Sequence, residues 1–255
     1  MSGPGIYRTG ERKYPMTYDR FFFNCNDGIS RARLKQIKAK YGTNVLIGVD
    51  PGPEIDPSDV AQEMIDNIKE LGFGLHIYLV GPGMMTWSAG ERAQIKMQAE
   101  SVQIDTNKKK WHDEWIDWGW RDFVEYRFQY YYKTHNAHSC EIDNLDSALG
   151  DDPDAYVEYY KELFGNLKQK NNPVKLMLKN LSEEKILALI NYDSWTPGIT
   201  LNNSLCEWGM FEEGSGDWEE QIKLCKELGI MAITPENGLT DTYHYGVVAA
   251  GVPSL

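Results

Sequence analysis

The sequence predicts an α/β fold, a single (β/α)8 barrel, on three observations. Eight short β-rich runs alternate with helical patterns, as parallel βαβ units require. The 255 residues match the length of about 250 at which eight such units close into a barrel. No linker, repeat or shift of composition divides the chain, so residues 1–255 read as one domain, with 1–18 as an N-terminal extension. A doubly wound open sheet is the competing arrangement, but no GxGxxG follows the first strand run.

The first strand run is Arg20 to Cys25. A basic helix pattern from Arg31 to Tyr41 follows and stops at Gly42. Asn44 to Asp50 is apolar throughout its middle, as a strand buried on both faces should be. Asp56-Pro57 reads as the cap and first position of a helix, with Val60, Met64, Ile68 and Leu71 on one stripe. Gly74 to Val80 is the third strand and Ser88 to Glu100 the next helix. A weaker strand is expected at Val102 to Asp105. An irregular Trp-rich stretch, Trp111 to Trp120, precedes a long helix from Asp122 to His135. Ser139 to Asp143 is the fifth strand. Asp152-Pro153 opens a helix with Tyr156, Tyr160, Leu163 and Leu167 inward. Val174 to Leu178 is the sixth strand, a helix covers Ser182 to Ile190, and the seventh strand ends near Glu207. Asp217 and Glu220 resemble a capping box, and Met231 to Thr234 is the eighth strand.

The composition bounds the chemistry. With 26 basic and 38 acidic residues the net charge is −12, which repels phosphate backbones and argues against nucleic acid as a partner. No apolar run is long enough to cross a bilayer, so membrane insertion is not expected. Eight Trp and fifteen Tyr against eight Phe supply rings with a flat face and a polar edge, suited to sugars as well as to a core. The four cysteines show neither CxxC pairing nor dense spacing, so neither a disulfide framework nor a zinc site is expected. No secretory signal is visible. The expectation is synthesis in the cytoplasm and action on an extracellular or cell-wall glycan.

In such barrels chemistry sits at the C-terminal strand ends. Those ends supply Asp50, Tyr78, Asp143, Asn180, Glu207 and Glu236. The densest segment is Cys140-Glu141-Ile142-Asp143-Asn144-Leu145-Asp146, where Glu141 and Asp143 share a strand face by the period of two. An N-cap cluster with Asp143 paired to Lys179 or Arg121 is the structural alternative. Leu178-Lys179-Asn180 brings a cation and an amide to the same rim. Glu207-Trp208 sets a carboxyl beside a ring. Asp143 and Glu207 would face each other across the mouth as the acid pair that glycosidic cleavage needs. No cofactor is required. Other chemistries lack their signatures: there is no GxSxG elbow and no HExxH. His135 and His138 fall at the opposite end of the fifth strand and read as exposed turn residues, and His76 as buried. A metal site on Glu141 and Asp143 is a rival without histidine support, so no metal is expected.

Taken in order, these pieces resemble the endo-α-1,4-polygalactosaminidase family of glycoside hydrolases, which are TIM barrels. His76-Ile77-Tyr78-Leu79-Val80-Gly81, Glu114-Trp115-Ile116-Asp117, Glu141-Ile142-Asp143-Asn144-Leu145-Asp146, Leu178-Lys179-Asn180, Glu207 and Glu236 follow the family's order over about residues 44 to 240. The resemblance implies that Asp143 and Glu207 are the catalytic acids. It implies that Tyr78, Asp117, Asn144 and Lys179 shape the sugar site, and Asp50, Glu141, Asp146, Asn180, Trp208 and Glu236 join them as expected substrate contacts. The chain departs from the family at Ile142, at His138-Ser139-Cys140 and at Pro235-Glu236-Asn237. The expected activity is metal-independent, endo-acting cleavage of an amino-sugar polysaccharide. Alternatives are a peptidoglycan or capsule glycosidase and a barrel that binds glycans without cutting them.

Overall fold

The computed structural model describes residues 18–24, 28–80, 89–105, 118–143, 158–160, 162–163, 165–166, 175–179, 206–210, 222–223, 231–236 and 242–248. Eight strands form one closed barrel in chain order: β1 (Arg20–Phe23), β2 (Val45–Val49), β3 (Gly74–Val80), β4 (Ser139–Asp143), β5 (Lys175–Lys179), β6 (Cys206–Met210), β7 (Met231–Pro235) and β8 (Tyr243–Val248). Helices α1 (Arg31–Tyr41), α2 (Asp59–Leu71), α3 (Ala89–Ser101) and α4 (Trp118–His135) lie between the first four strands. No helix among the described residues is long and apolar enough to cross a membrane.

β1 to β7 pair in parallel. β8 runs antiparallel to both β7 and β1. The barrel therefore closes through a strand that reverses direction, and the expected eight-fold βα repeat is corrected to seven parallel strands and one antiparallel. The strand expected at Val102 to Asp105 is also corrected. The amides of Val102, Gln103 and Ile104 bond back to Ala99, Glu100 and Ala99 carbonyls, and Gln103 has φ 66°. Donors spent on closing α3 cannot join a ladder, so β3 pairs directly with β4.

Helix starts depend on which side chain reaches a free amide. Ser58, not Asp56, caps α2, its Oγ accepting the Ala61 N–H at 3.3 Å. The buried face is accordingly Ala61, Met64, Ile65 and Ile68, while Val60 is 68% exposed. α1 is capped the same way by Ser30. α4 begins at Trp118, earlier than expected, and buries Phe123, Val124, Phe128 and Tyr131. Tyr160 and Leu163 are buried as expected, with Tyr159 beside them.

The barrel interior is set by strand alternation. Phe21 lies edge-on to His76, 5.0 Å between ring centres, and Phe23 stacks on Tyr78 at 5.0 Å. Gly48 of β2 gives both rings their space: a Cβ there would lie 2.8 Å from Phe23 and 3.0 Å from Phe21. Phe22, between them, faces outward onto Tyr41 of α1 and His244. At the N-terminal end Tyr18 covers Gly74, where a Cβ would collide with its ring. Tyr18 also meets His138 edge-on.

Candidate active site

Registers across β3 and β4 match His76 with Ser139, Tyr78 with Glu141, and Val80 with Asp143. Alternate residues of both strands thus enter the barrel in tiers. In the lowest tier Ser139 Oγ and His76 Nδ1 are 2.8 Å apart, and both residues are buried. In the middle tier Glu141 has no exposed side-chain surface, and His76 Nε2 lies 3.6 Å from its Oε1. Among the described residues neither Glu141 oxygen has a hydrogen-bond partner. Glu141, expected to touch substrate, is instead fully buried, level with Tyr78 of β3 and one tier below Asp143.

The top tier reaches the mouth. The Tyr78 hydroxyl donates to Asp143 Oδ2 at 2.5 Å, and Asp143, the last residue of β4, is half-buried. Burial, and then this bond, raises the Tyr78 pKa, so Tyr78 stays a neutral donor. Asp50 follows β2 directly. Its Oδ1 accepts the Gly52 N–H at 2.8 Å. Burial raises the Asp50 pKa above the ordinary carboxyl value, against the opposing pull of the Gly52 amide and of Arg127. Asp50, Tyr78 and Asp143 stand on three successive strands, and both carboxyls act electrostatically on the Tyr78 hydroxyl.

The backbone places Glu207 differently from expectation. β6 runs on to Met210, so Glu207 is its second residue rather than its end. It falls where the register with β5 shifts: Cys206 matches Leu176 and Trp208 matches Met177, leaving Glu207 without a ladder partner. Lys179 ends β5, level with Met210. Glu236 follows β7, but its carboxyl is 3.8 Å from Arg20 and 3.6 Å from His244 Nε2. His244 stacks flat on outward-facing Phe22. Glu236 therefore lies on the outer side of the barrel, over Gly246, where any Cβ would overlap it. That is a correction to its expected place in the mouth. Asp117, Asn144, Asp146 and Asn180 lie outside the described residues, as do Trp111 and Trp115.

Two further corrections concern expected neighbours. Arg121 pairs with Asp122 at 3.1 Å and with Glu162 at 2.5 Å. His135 is buried at the end of α4, not exposed, and desolvation lowers its pKa. His76 is buried as expected, and Cys140 is a buried free thiol. Among the described residues no group of three or more His, Cys, Asp and Glu side chains could hold a metal ion.

Sequence reasoning missed Arg127 and the loop it serves. Arg127 is 2% exposed, its guanidinium over the rings of Phe123 and Tyr131. Its Nη2 donates to the Gly52 carbonyl at 2.6 Å. The same loop is tied to α3 and α4 by Ile55 N–H to Gln98 Oε1 at 2.7 Å, Tyr130 hydroxyl to Asp56 at 2.5 Å, and Gln94 to Glu54. The signal was present in the sequence as a cation among the apolar positions Phe123, Val124, Phe128 and Tyr131 of α4, a place that is costly unless the charge is used.

No protein-family model matches the chain, and no curated protein does. Among solved structures it is similar to the C-terminal domain of a candidate chitinase from Desulfitobacterium hafniense DCB-2. That match has 11% identity and TM-score 0.46 over 91% of this chain and 73% of that one. It is also similar to the maltogenic α-amylase AmyB of Thermotoga neapolitana, with 11% identity and TM-score 0.43 over 83% of this chain and 57% of that one. A third similar structure is xylanase 10B of Thermotoga maritima, with 12% identity and TM-score 0.37 over 86% of this chain and 82% of that one.

Proposed function

We propose that the chain is a glycoside hydrolase that cuts an amino-sugar-containing polysaccharide at the C-terminal mouth of the barrel, using two carboxyls and no metal. The observation that carries this reading is the 2.5 Å bond from Tyr78 to Asp143 at the strand end. A carboxyl so anchored, at the rim where barrel enzymes carry out their chemistry, suits a base or nucleophile at an anomeric carbon. The half-buried Asp50 beside it supplies a second carboxyl in a different environment, as paired acid and base roles require. Glu207 is the second acid suggested by the sequence pattern. The polymer class rests on the motif order from His76 to Glu207 and on the net charge of −12.

The test is incubation with polygalactosamine, chitosan, peptidoglycan and an acidic capsule, read by mass spectrometry for shortened chains. At least one amino-sugar polymer should be cut, with full activity in EDTA. Asp143→Asn should lower kcat by about 10³-fold or more with the fold intact. Binding of a polymer without cleavage, or near-normal turnover by Asp143→Asn, would end the proposal.

A further inference from the structure

We propose that Asp50 is the second catalytic carboxyl of this site: it delivers the proton to the departing glycosidic oxygen while Asp143 serves as base. The inference rests on the glycosidase reading above and deepens it.

Position comes first. β2 and β4 flank β3, so Asp50 and Asp143 stand on either side of Tyr78. One step beyond the Val49–Ile77 pair, Asp50 is level with Tyr78, while Asp143 is level with Val80, so their backbones are about 9.5 Å apart across the strands and about 6.6 Å apart along them. Both carboxyls act on the Tyr78 hydroxyl between them, the arrangement of an acid and a base held apart by a water rather than in contact.

The chemistry of each group then differs. Asp143 uses Oδ2 to accept the Tyr78 hydroxyl, which fixes its orientation at the strand end. Asp50 uses Oδ1 to accept the Gly52 N–H, which leaves Oδ2 to carry a proton. Burial favours that protonated form.

The second support is the loop that holds Asp50. Gly52 sits at φ 83°, a conformation that glycine adopts without strain. Its N–H is bound to Asp50 and its carbonyl to Arg127. The remaining ties to α3 and α4 fix residues 54 to 56. Two helices thus hold one acid in place, as a group that must meet a reacting atom requires. Glu207, at a register shift near the start of β6, has no comparable position at the strand end.

In the step itself the Asp50 proton moves to the glycosidic oxygen. The bond from that oxygen to the anomeric carbon breaks, and its electron pair stays on the oxygen. Water forms the new bond to the anomeric carbon and gives its proton to Asp143. Asp50 is left as carboxylate and Asp143 as acid, and exchange with solvent restores both.

The experiment compares Asp50→Asn, Glu207→Gln and Asp143→Asn on the amino-sugar polymer that the unaltered protein cuts and on a 2,4-dinitrophenyl glycoside of an oligosaccharide from it. Asn at position 50 keeps the Oδ1 acceptor for Gly52, so the loop should hold, which thermal unfolding checks. Asp50→Asn should lower kcat on the polymer by 10²–10⁴-fold but by less than about 10-fold on the activated glycoside, whose leaving group needs no proton. Asp143→Asn should fail on both. If Asp50→Asn cuts the polymer normally, or if Glu207→Gln alone shows the split between substrates, the assignment of Asp50 is overturned while the glycosidase reading stands. An equal loss on both substrates also overturns the proton-donor role. If Asp143→Asn is active on both, the placement of the reaction beside Asp143 fails and this inference falls with it, whereas the glycosidase reading itself fails only if the unaltered protein cuts none of the polymers.

Discussion

Glu141 and His76 show at the residue scale how much the interior depends on pairing. Glu141 is fully buried, has no hydrogen-bond donor among the described residues, and lies 3.6 Å from the His76 ring. Removing one member of such a pair typically costs about 3–5 kcal/mol, because the other is left unmatched in a dry site. His76→Leu should therefore destabilise the fold by about 3 kcal/mol in urea unfolding, and adding Glu141→Gln should recover most of that loss. A double variant no more stable than His76→Leu would show that the carboxyl is not the source of the cost. Asp50 carries the opposite kind of burden. Burial raises its pKa above the ordinary 3.8, so the folded protein holds this proton more tightly than the unfolded chain. Stability contributed by the group is complete below about pH 3.8 and declines as pH rises through the raised value. Asp50→Asn should hence unfold at a higher temperature than the unaltered protein at pH 7, with the gain vanishing near pH 3.5. No gain at pH 7 would mean that the carboxyl is not desolvated. Neither property was legible beforehand: the period of two puts Glu141 and Asp143 on one face, but only the depth of each tier separates a fully buried acid from one at the mouth.

Element by element, the sequence spoke most clearly where burial and punctuation agree. β2, β3 and β4 lie within a residue of expectation because apolar runs end at Asp50, before Gly81-Pro82-Gly83 in the sequence, and at Asp143. The pattern misled where two uses of the same residues compete. Val102 to Ile104 is β-rich, yet its amides close α3. Glu207 looked terminal because Glu-Trp ends an apolar run, yet the ladder continues to Met210. Tyr243 to Val248 went unread because the preceding strand already completed the expected eight. Two substitutions test the elements. Gly48→Ala places a Cβ against Phe23 and Phe21 and should cost about 1–3 kcal/mol by overpacking; an unchanged urea midpoint would contradict that packing. His244 of β8 is pushed down to about 4, by burial first and then by Arg20 and Lys40. The unfolded chain takes up a proton near pH 6.5 that the fold refuses, so stability is full above 6.5 and falls as pH drops toward 4. His244→Phe keeps the stack on Phe22 and should flatten the decline in melting temperature between pH 6.5 and 4.5; an equally steep decline would place the acid sensitivity elsewhere.

On the scale of the whole molecule, charge and architecture meet at the mouth. The alternation of strands and helices made a barrel legible, but the direction of its closing strand was not, since antiparallel β8 follows β7 through a short connection that carries no helix pattern. That closure matters for function because it carries Glu236 to the outside, against Arg20 and His244. Burial removes Glu141 from the acidic rim as well. Of the acids expected there, Asp50 and Asp143 are the two that the described residues bring to the mouth beside Tyr78. Under the proposed function, attraction of a cationic polymer would then come chiefly from the net charge of −12, acting at long range rather than through a dense ring of contacts. Long-range attraction is screened within about 10 Å at roughly 0.1 M salt. On polygalactosamine, raising salt from about 0.05 to 0.5 M should therefore raise KM several-fold and leave kcat nearly unchanged. On the fully N-acetylated polymer, which has no ammonium groups, neither constant should move. A fall in kcat with salt would place the screened interaction in the chemical step. An equal response from the acetylated polymer would mean that salt acts on the fold and that the charge of the chain does not select its substrate.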